Sequence, residues 1–338
     1  MFNMKNVLYV GNALSGKGKT VTPIETLSEH LREICHVKIA SRKTNIVLRL
    51  LDMIYLVLKN RYWTDVVLID TYSTLNFNYA VIISGICRAF KIEYIPILHG
   101  GNLENRLKNY PKLSASLFKN AKCLVSPSKF LKSKFEAYGY SNVIYIPNCI
   151  ELNNYKFQHR EIENIKLLWV RSFSEIYNPK LAVMVLETLI AKGHKAELTM
   201  VGPDIDGSLI EVENLAREKN LRVNFTGKLS KKDWIALSQQ HNIFINTTNF
   251  DNMPVSVIEA MALGLLVVST NVGGLPYLIE NNKEGFLVEP NNADAMVNSI
   301  LQLKKDNRFK NTLVVNARTK AESFDWESVK QQWKSLLI

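Results

Sequence analysis

Asp251 and Glu259 are the two carboxylates whose setting most invites chemistry. They bracket Asn252-Met253-Pro254-Val255-Ser256-Val257-Ile258, a stretch that reads as loop and then helix between an apolar strand at 243–246 and another at 265–269. Asp251 or Asn252 is the expected helix N-cap, Pro254 suits the first helical turn, and Gly264 stops the helix before the next strand. Both carboxylates then sit at the carboxyl-terminal edge of a parallel sheet. Open α/β sheets bind ligands at that edge, and a helix N-terminus offers backbone N–H groups and a positive dipole end to phosphate. On spacing alone, a capping Asp and a surface Glu account for the same residues at least as well.

Two further places carry chemistry-bearing residues. His99, in Ile97-Leu98-His99-Gly100-Gly101, ends a strand at the same edge of a second sheet, where an imidazole could donate or accept a hydrogen bond. The turn Gly11-Asn12-Ala13-Leu14-Ser15-Gly16-Lys17-Gly18-Lys19-Thr20 holds most of a phosphate-binding P-loop, with residues 66–70 as its acidic partner strand. A P-loop needs Ser or Thr after the lysine, and that position is Gly18. Shifting the frame to Lys19-Thr20 puts Ala13 where the first glycine belongs. An NTPase is therefore a remote alternative.

These residues must be positioned by a regular scaffold, and the hydrophobic pattern supplies one. Short apolar runs at 7–10, 37–40, 66–69, 94–98, 123–125 and 143–146 alternate with helical patterns, as in a parallel sheet with crossover helices. A Pro147-Asn148 turn and a polar stretch at 153–164 follow. The series then restarts at 167–170, 197–201, 223–226, 243–246, 265–269 and 285–288. The expected class is α/β with two Rossmann-like domains, their boundary near 150–163.

Composition agrees. The 338 residues, 47% of them hydrophobic, suffice for two cores. Cys35, Cys87, Cys123 and Cys149 show no CxxC pair or zinc-ligand spacing, which argues against a disulfide framework or a metal site. The first apolar run is too short and too soon broken by Gly11 for a signal peptide or a spanning helix, so a cytoplasmic location is expected. Net charge is +11, and residues 1–160 hold 22 Lys/Arg against 10 Asp/Glu while the remainder is nearly balanced. A basic first half suggests an anionic neighbour, either a bilayer surface or nucleic acid, with a solvated basic surface that has no partner as the alternative. No nucleic-acid motif accompanies the charge, which favours the bilayer. Residues 46–58, flanked by Arg42, Lys43, Lys59 and Arg61, are too short to span a bilayer. They either lie in its interface or pack on the sheet, the packed helix being slightly preferred. The basic stretch from Arg106 to Lys122 has the same two readings.

The segment from Asp251 through Glu259-Ala260-Met261-Ala262-Leu263-Gly264 resembles the Glu, seven residues, Glu signature of the family 4 retaining glycosyltransferases (glycosyl transferases group 1), with Asp251 in place of the first Glu. Other matches fall in family order: Ile146-Pro147-Asn148, Val201-Gly202-Pro203, Phe225-Thr226-Gly227, Asn271-Val272-Gly273-Gly274-Leu275-Pro276, Glu284-Gly285-Phe286-Leu287-Val288 and Phe324-Asp325-Trp326-Glu327. The resemblance covers nearly the whole chain.

It implies a GT-B fold: an acceptor-binding domain at 1–150, a nucleotide-sugar-binding domain at 151–322 facing it across a cleft, and a terminal helix at 323–338 returning to the first domain. It also implies a retaining hexosyl transfer from a nucleotide-diphosphate sugar, with no cofactor and no metal. The acceptor would be lipid-linked or a saccharide, in envelope polysaccharide or glycolipid synthesis, met at the inner face of the cell membrane. Glu259 would bind the donor ribose and Asp251 would lie near the transferred sugar. Arg171 would bind the diphosphate, neutralising charge on the leaving phosphate, and His99 would contact the sugar. Gly227, Lys228, Met253, Pro254, Val255, Gly273 and Gly274 would line the donor site, and Gly16, Lys17 and Gly18 would form the family's glycine-rich loop. The family's second cation is missing, because Ile176 stands five residues after Arg171; Lys180 is the nearest substitute. That departure and Asp251 motivate the rival expectation of a non-catalytic binding or partner subunit.

Overall fold

The computed structural model describes residues 4–14, 22–99 and 101–338. Two compact units divide the chain: Met1–Cys149 with Trp326–Ile338, and Ile150–Asp325.

In the first unit β1 (Asn6–Val10), β2 (His36–Ala40), β3 (Val66–Thr71), β4 (Glu93–Leu98), β5 (Leu124–Ser126) and β6 (Val143–Tyr145) form one parallel sheet in the order β2-β1-β3-β4-β5-β6. In the second, β7 (Ile165–Val170), β8 (Ala196–Val201), β9 (Val223–Gly227), β10 (Ile243–Asn246), β11 (Leu266–Thr270) and β12 (Phe286–Val288) form another, ordered β12-β11-β10-β7-β8-β9. Every expected strand is present, with ends shifted by a residue or two. Helices cover both faces, so the inner strands read as continuous apolar runs: β3 and β11 are buried at every position.

Each chain direction reverses once. In the first sheet the path goes outward from β1 to β2 and resumes at β3 on the other side. In the second it goes outward through β8 and β9 and resumes at β10 beside β7. These reversals are topological switch points, where the loops leaving adjacent strands diverge and open a crevice at the carboxyl ends.

The helix Trp326–Leu337 is an element of the first unit. It buries Trp326, Val329, Trp333 and Leu337, a helical spacing, among Ile24 and Leu31 of the helix Pro23–Leu31. The His30 and Trp326 rings stack there, 4.7 Å apart. The helix Ile46–Lys59, capped by Asn45, packs inward through Met53 and Val57. Among the described residues no helix is long and apolar enough to cross a membrane.

Candidate active site

In the second unit the loops leaving β7 and β10, the strands flanking the switch point, carry Arg171 and Asp251. Their side chains meet in a short ion pair between Arg171 Nη2 and Asp251 Oδ2, with both largely shielded from water. The ring of Tyr177 lies beneath the guanidinium, 4.7 Å from ring centre to Cζ, a cation–π contact. Burial lowers the Arg171 pKa, while Tyr177 and Glu259 oppose the shift. Arg171 Nε is buried and, among the described residues, has no hydrogen-bond partner.

The turn that presents Tyr177 is tied to the β10 loop. Thr247 Oγ1 accepts from Trp169 Nε1 at 2.9 Å and donates to the Tyr177 carbonyl at 2.8 Å, and the Asn249 N–H donates to the Ile176 carbonyl at 2.8 Å. At the position where the resemblance calls for a second cation, the chain thus uses the backbone of Ile176 and the ring of Tyr177. Lys180 does not stand in for that cation. It lies in the first turn of the helix Pro179–Ala191, on that helix's exposed side, and pairs at the surface with Glu211 at 2.7 Å.

Neither Asp251 nor Asn252 caps the following helix, contrary to expectation. The helix runs Val255–Ala262 with Pro254 at the N-cap (φ −70°, ψ 114°). Asp251 is unavailable for capping because one carboxylate oxygen takes the Asn252 N–H at 2.8 Å and the other takes Arg171. Met253 and Pro254 are buried in this connection, Val255 opens the helix, and the Ser256 hydroxyl is buried without a hydrogen-bond partner among the described residues.

Glu259 is not the surface carboxylate that its spacing allowed. It is 4% exposed, and its Oε1 accepts from the Tyr155 hydroxyl at 2.6 Å and from Lys231 Nζ at 2.7 Å. Burial and the Glu259 charge push the Tyr155 pKa well up, so the phenol stays a neutral donor.

Gly273 and Gly274 act through close approach. The Gly274 N–H donates to the Asp251 carbonyl at 2.9 Å, and a Cβ on Gly274 would lie 1.6 Å from the Asn252 carbonyl oxygen. The β11 loop therefore clamps the backbone that carries Asp251. Gly227 ends β9, its carbonyl accepting from the Gly202 N–H at 2.9 Å, and Lys228 follows, exposed.

The first unit has its own cluster at the β1/β3 switch point. His99 Nε2 lies 2.8 Å from Asp70 Oδ1, which also accepts from the Tyr9 hydroxyl at 2.8 Å. A carboxylate oxygen accepts, so Nε2 is the donor in this pair and Nδ1 is the ring nitrogen turned away from Asp70. Tyr72 stacks on the imidazole, with centroids 5.4 Å apart. Asp70 Oδ2 is buried without a partner among the described residues. Gly16, Lys17 and Gly18 lie outside the described residues.

Sequence reasoning missed Tyr155, Tyr177, Lys231 and Tyr9, and weighed Asp70 only as a P-loop partner. The metal-free expectation also rested on the absence of an Asp-x-Asp motif, yet Asp204-Ile205-Asp206 has that spacing. In the structure both aspartates serve local backbone: Asp204 accepts from the Gly207 N–H at 3.0 Å, and Asp206 from the Glu175 N–H at 3.0 Å. Hydrogen bonds from Ser208 and Ser174 hold the Asp206 pKa down to about 2. Among the described residues no group of three or more His, Cys, Asp or Glu side chains could hold a metal ion.

Residues 153–320 match the family model described as Glycosyl transferases group 1. The chain is 25% identical over 271 residues, 74% of its length, to the amylovoran biosynthesis glycosyltransferase AmsK of Erwinia amylovora, and the match spans 65% of that protein. It is 26% identical over 161 residues to the capsular polysaccharide biosynthesis glycosyltransferase CapM of Staphylococcus aureus, covering 46% of this chain and 42% of that one. The chain thus spans less than two thirds of the length of both relatives. Its fold is similar to that of Anabaena Alr3699/HepE, whose crystal structure contains UDP and glucose: TM-score 0.76, 17% identity, 98% of this chain and 99% of that one covered.

Proposed function

We propose, from the premise that this chain belongs through residues 153–320 to the Glycosyl transferases group 1 family, that it transfers a hexose from a UDP-sugar to a hydroxyl with retention of configuration. The observation that carries the reading is the gathering of Arg171, Asp251 and Glu259 at the carboxyl ends of the β7 and β10 region, each satisfied by a partner that a donor could replace or supplement. UDP as the nucleotude carrier is suggested by the fold relative that holds UDP and glucose. Polysaccharide or glycolipid synthesis is suggested by the relatives named for amylovoran and capsular polysaccharide biosynthesis.

In this reading the Glu259 carboxylate accepts from the ribose hydroxyls. The diphosphate displaces Asp251 from the Arg171 guanidinium, occupying its fork and its unpaired Nε, while the first N–H groups of the helix Val255–Ala262 and the Ser256 hydroxyl supply further donors. Asp251, released, is free to accept from a hydroxyl of the sugar. The acceptor oxygen bonds to the anomeric carbon as the bond to the diphosphate oxygen breaks, and that departing oxygen takes the acceptor proton. Arg171 and backbone amides stabilise the leaving charge, without a divalent ion. His99, fixed by Asp70, offers Nδ1 to a hydroxyl. The acceptor is a lipid-linked or free saccharide, met at the inner face of the cell membrane.

The test is donor hydrolysis and transfer in the presence of EDTA. UDP-glucose, UDP-galactose, UDP-N-acetylglucosamine and GDP-mannose are each supplied with detergent-dispersed polyprenyl-diphosphate saccharides, and the product anomer is read by NMR. One UDP-sugar should be consumed and an α-linked product formed from an α-linked donor. An inverted product, or an absolute need for a divalent ion, would contradict the mechanism. Binding of UDP without any turnover would favour the non-catalytic partner.

A further inference from the structure

The helix Ile46–Lys59 is apolar on both faces: Met53 and Val57 join the core, with Leu50, Ile54 and Leu56 packed against it. Its inward residues are Arg49, Met53 and Val57, and the inward guanidinium is satisfied by the Lys43 and Thr44 carbonyls and by Asn12 Oδ1. The outward face is apolar: Val47, Leu48, Leu51 and Tyr55 are exposed by 64%, 56%, 55% and 56%. At 3.6 residues per turn these four share an arc of about 100°. Tyr62, just past the helix end, is 89% exposed. The Arg61 guanidinium lies 4.3 Å from the Tyr62 ring centre and 5.8 Å from that of Phe90, which ties Phe90 into the same patch. Single exposed apolar residues need no explanation, but a contiguous row does.

Cations cluster around this row. Arg42 and Lys43 precede the helix, Lys59 and Arg61 end it, and Lys91 follows Phe90. Asp52, the helix's one carboxylate, is hydrogen-bonded to the Ser41 hydroxyl.

We propose that this face docks the first unit on an anionic lipid surface, with Val47, Leu48, Leu51, Tyr55 and Tyr62 in the interfacial layer and the Arg/Lys rim against the headgroups. The proposal deepens the membrane contact named above and rests on it, not on the donor chemistry. A 14-residue helix is too short to span a bilayer, which takes about 20 apolar residues, so it lies in the plane of the interface. A second copy of the chain fits the face less well. An isologous contact would set one cationic rim against another. The excess of 22 Lys/Arg over 10 Asp/Glu in residues 1–160 points the same way.

The test uses the full chain, pelleted with vesicles of phosphatidylcholine alone or with roughly one third phosphatidylglycerol. Wild type should bind the anionic vesicles and lose that binding as salt rises. The variants Leu51→Ser/Tyr55→Ser and Arg42→Glu/Lys43→Glu/Lys59→Glu should each bind roughly tenfold less or weaker. Ile210→Ser, at a position 55% exposed in the second unit, should bind like wild type. Equal binding to both vesicle types, or undiminished binding by both face variants, would overturn the proposal. So would a lipid-free dimer in sedimentation velocity that Leu51→Ser dissolves, which would assign the face to self-association. A UDP thermal shift on the same samples separates the two readings: lost vesicle binding with an intact shift concerns docking alone.

Discussion

The Tyr155 hydroxyl donates to Glu259 Oε1 at 2.6 Å, joining residues 104 positions apart in the chain. The same oxygen receives Lys231 at 2.7 Å. A carboxylate buried in the middle of a helix is thereby held in one orientation, with partners that offset its removal from water.

Removing the phenolic hydroxyl tests that relationship. Tyr155→Phe should cost about 1–2 kcal/mol of stability and weaken nucleotide binding severalfold, since Glu259 loses its fixed orientation. Glu259→Ala should abolish nucleotide binding while leaving the fold intact. Denaturant melts and titrations of each variant check this; a Tyr155→Phe protein with unaltered affinity would detach the phenol from the site.

The clamp on the Asp251 loop is steric and can be separated from backbone strain. A Cβ at Gly274 would meet the Asn252 carbonyl oxygen at 1.6 Å, whereas at Gly207 (φ +88°) nothing lies within 4 Å. Gly207→Ala should therefore cost only the left-handed backbone penalty, roughly 1–2 kcal/mol, and leave donor binding alone. Gly274→Ala should cost more, on the order of 3 kcal/mol, and displace the Asp251 loop. Unfolding midpoints that rank the two the other way would contradict the clamp.

The inner strands were the most legible in the sequence because helices on both faces require apolar runs, and residues 66–69 carry one without interruption. The loop cluster was legible only in part. Asp251 looked like a helix cap because capping is a local signal; its real partner, Arg171, is 80 residues away, and no spacing rule reaches that far. Lys231, Tyr155 and Asp70 are likewise defined by pairings across elements. Lys180 was misplaced because its direction depends on the phase of the helix Pro179–Ala191, which begins at left-handed Asn178 (φ 47°) and turns the lysine toward Glu211.

Asp70 and His99 should behave as one unit. In the proposed reaction Asp70 positions the imidazole from within β3, and His99 is the group that would meet a hydroxyl. Asp70→Asn and His99→Gln should each lower kcat by roughly 10²-fold with little change in donor KM, and the double variant should be no worse than the more damaged single one. Multiplying effects would mean that the two act separately.

His241 gives the second unit a pH-dependent stability. Burial lowers its pKa from the ordinary 6.5, and the neutral ring donates from Nδ1 to the Leu237 carbonyl and accepts at Nε2 from the Thr199 hydroxyl, both at 2.9 Å. The unfolded chain binds the proton more readily, so this contribution is complete above pH 6.5 and is lost as pH falls from there through the lower folded value. Melting temperature should drop between about pH 7 and 5 more steeply in wild type than in His241→Gln. Parallel curves would remove the histidine from the account.

The central claim is that Arg171 and Glu259 together hold the nucleotide, and calorimetric titration of UDP into wild type, Arg171→Ala, Glu259→Ala and Lys180→Ala, all in EDTA, tests it most directly. Wild type and Lys180→Ala should bind alike, and each of the other two should lose at least tenfold in affinity, about 1.4 kcal/mol or more. Full UDP affinity in Arg171→Ala or Glu259→Ala would contradict the assignment of this loop cluster as the donor site.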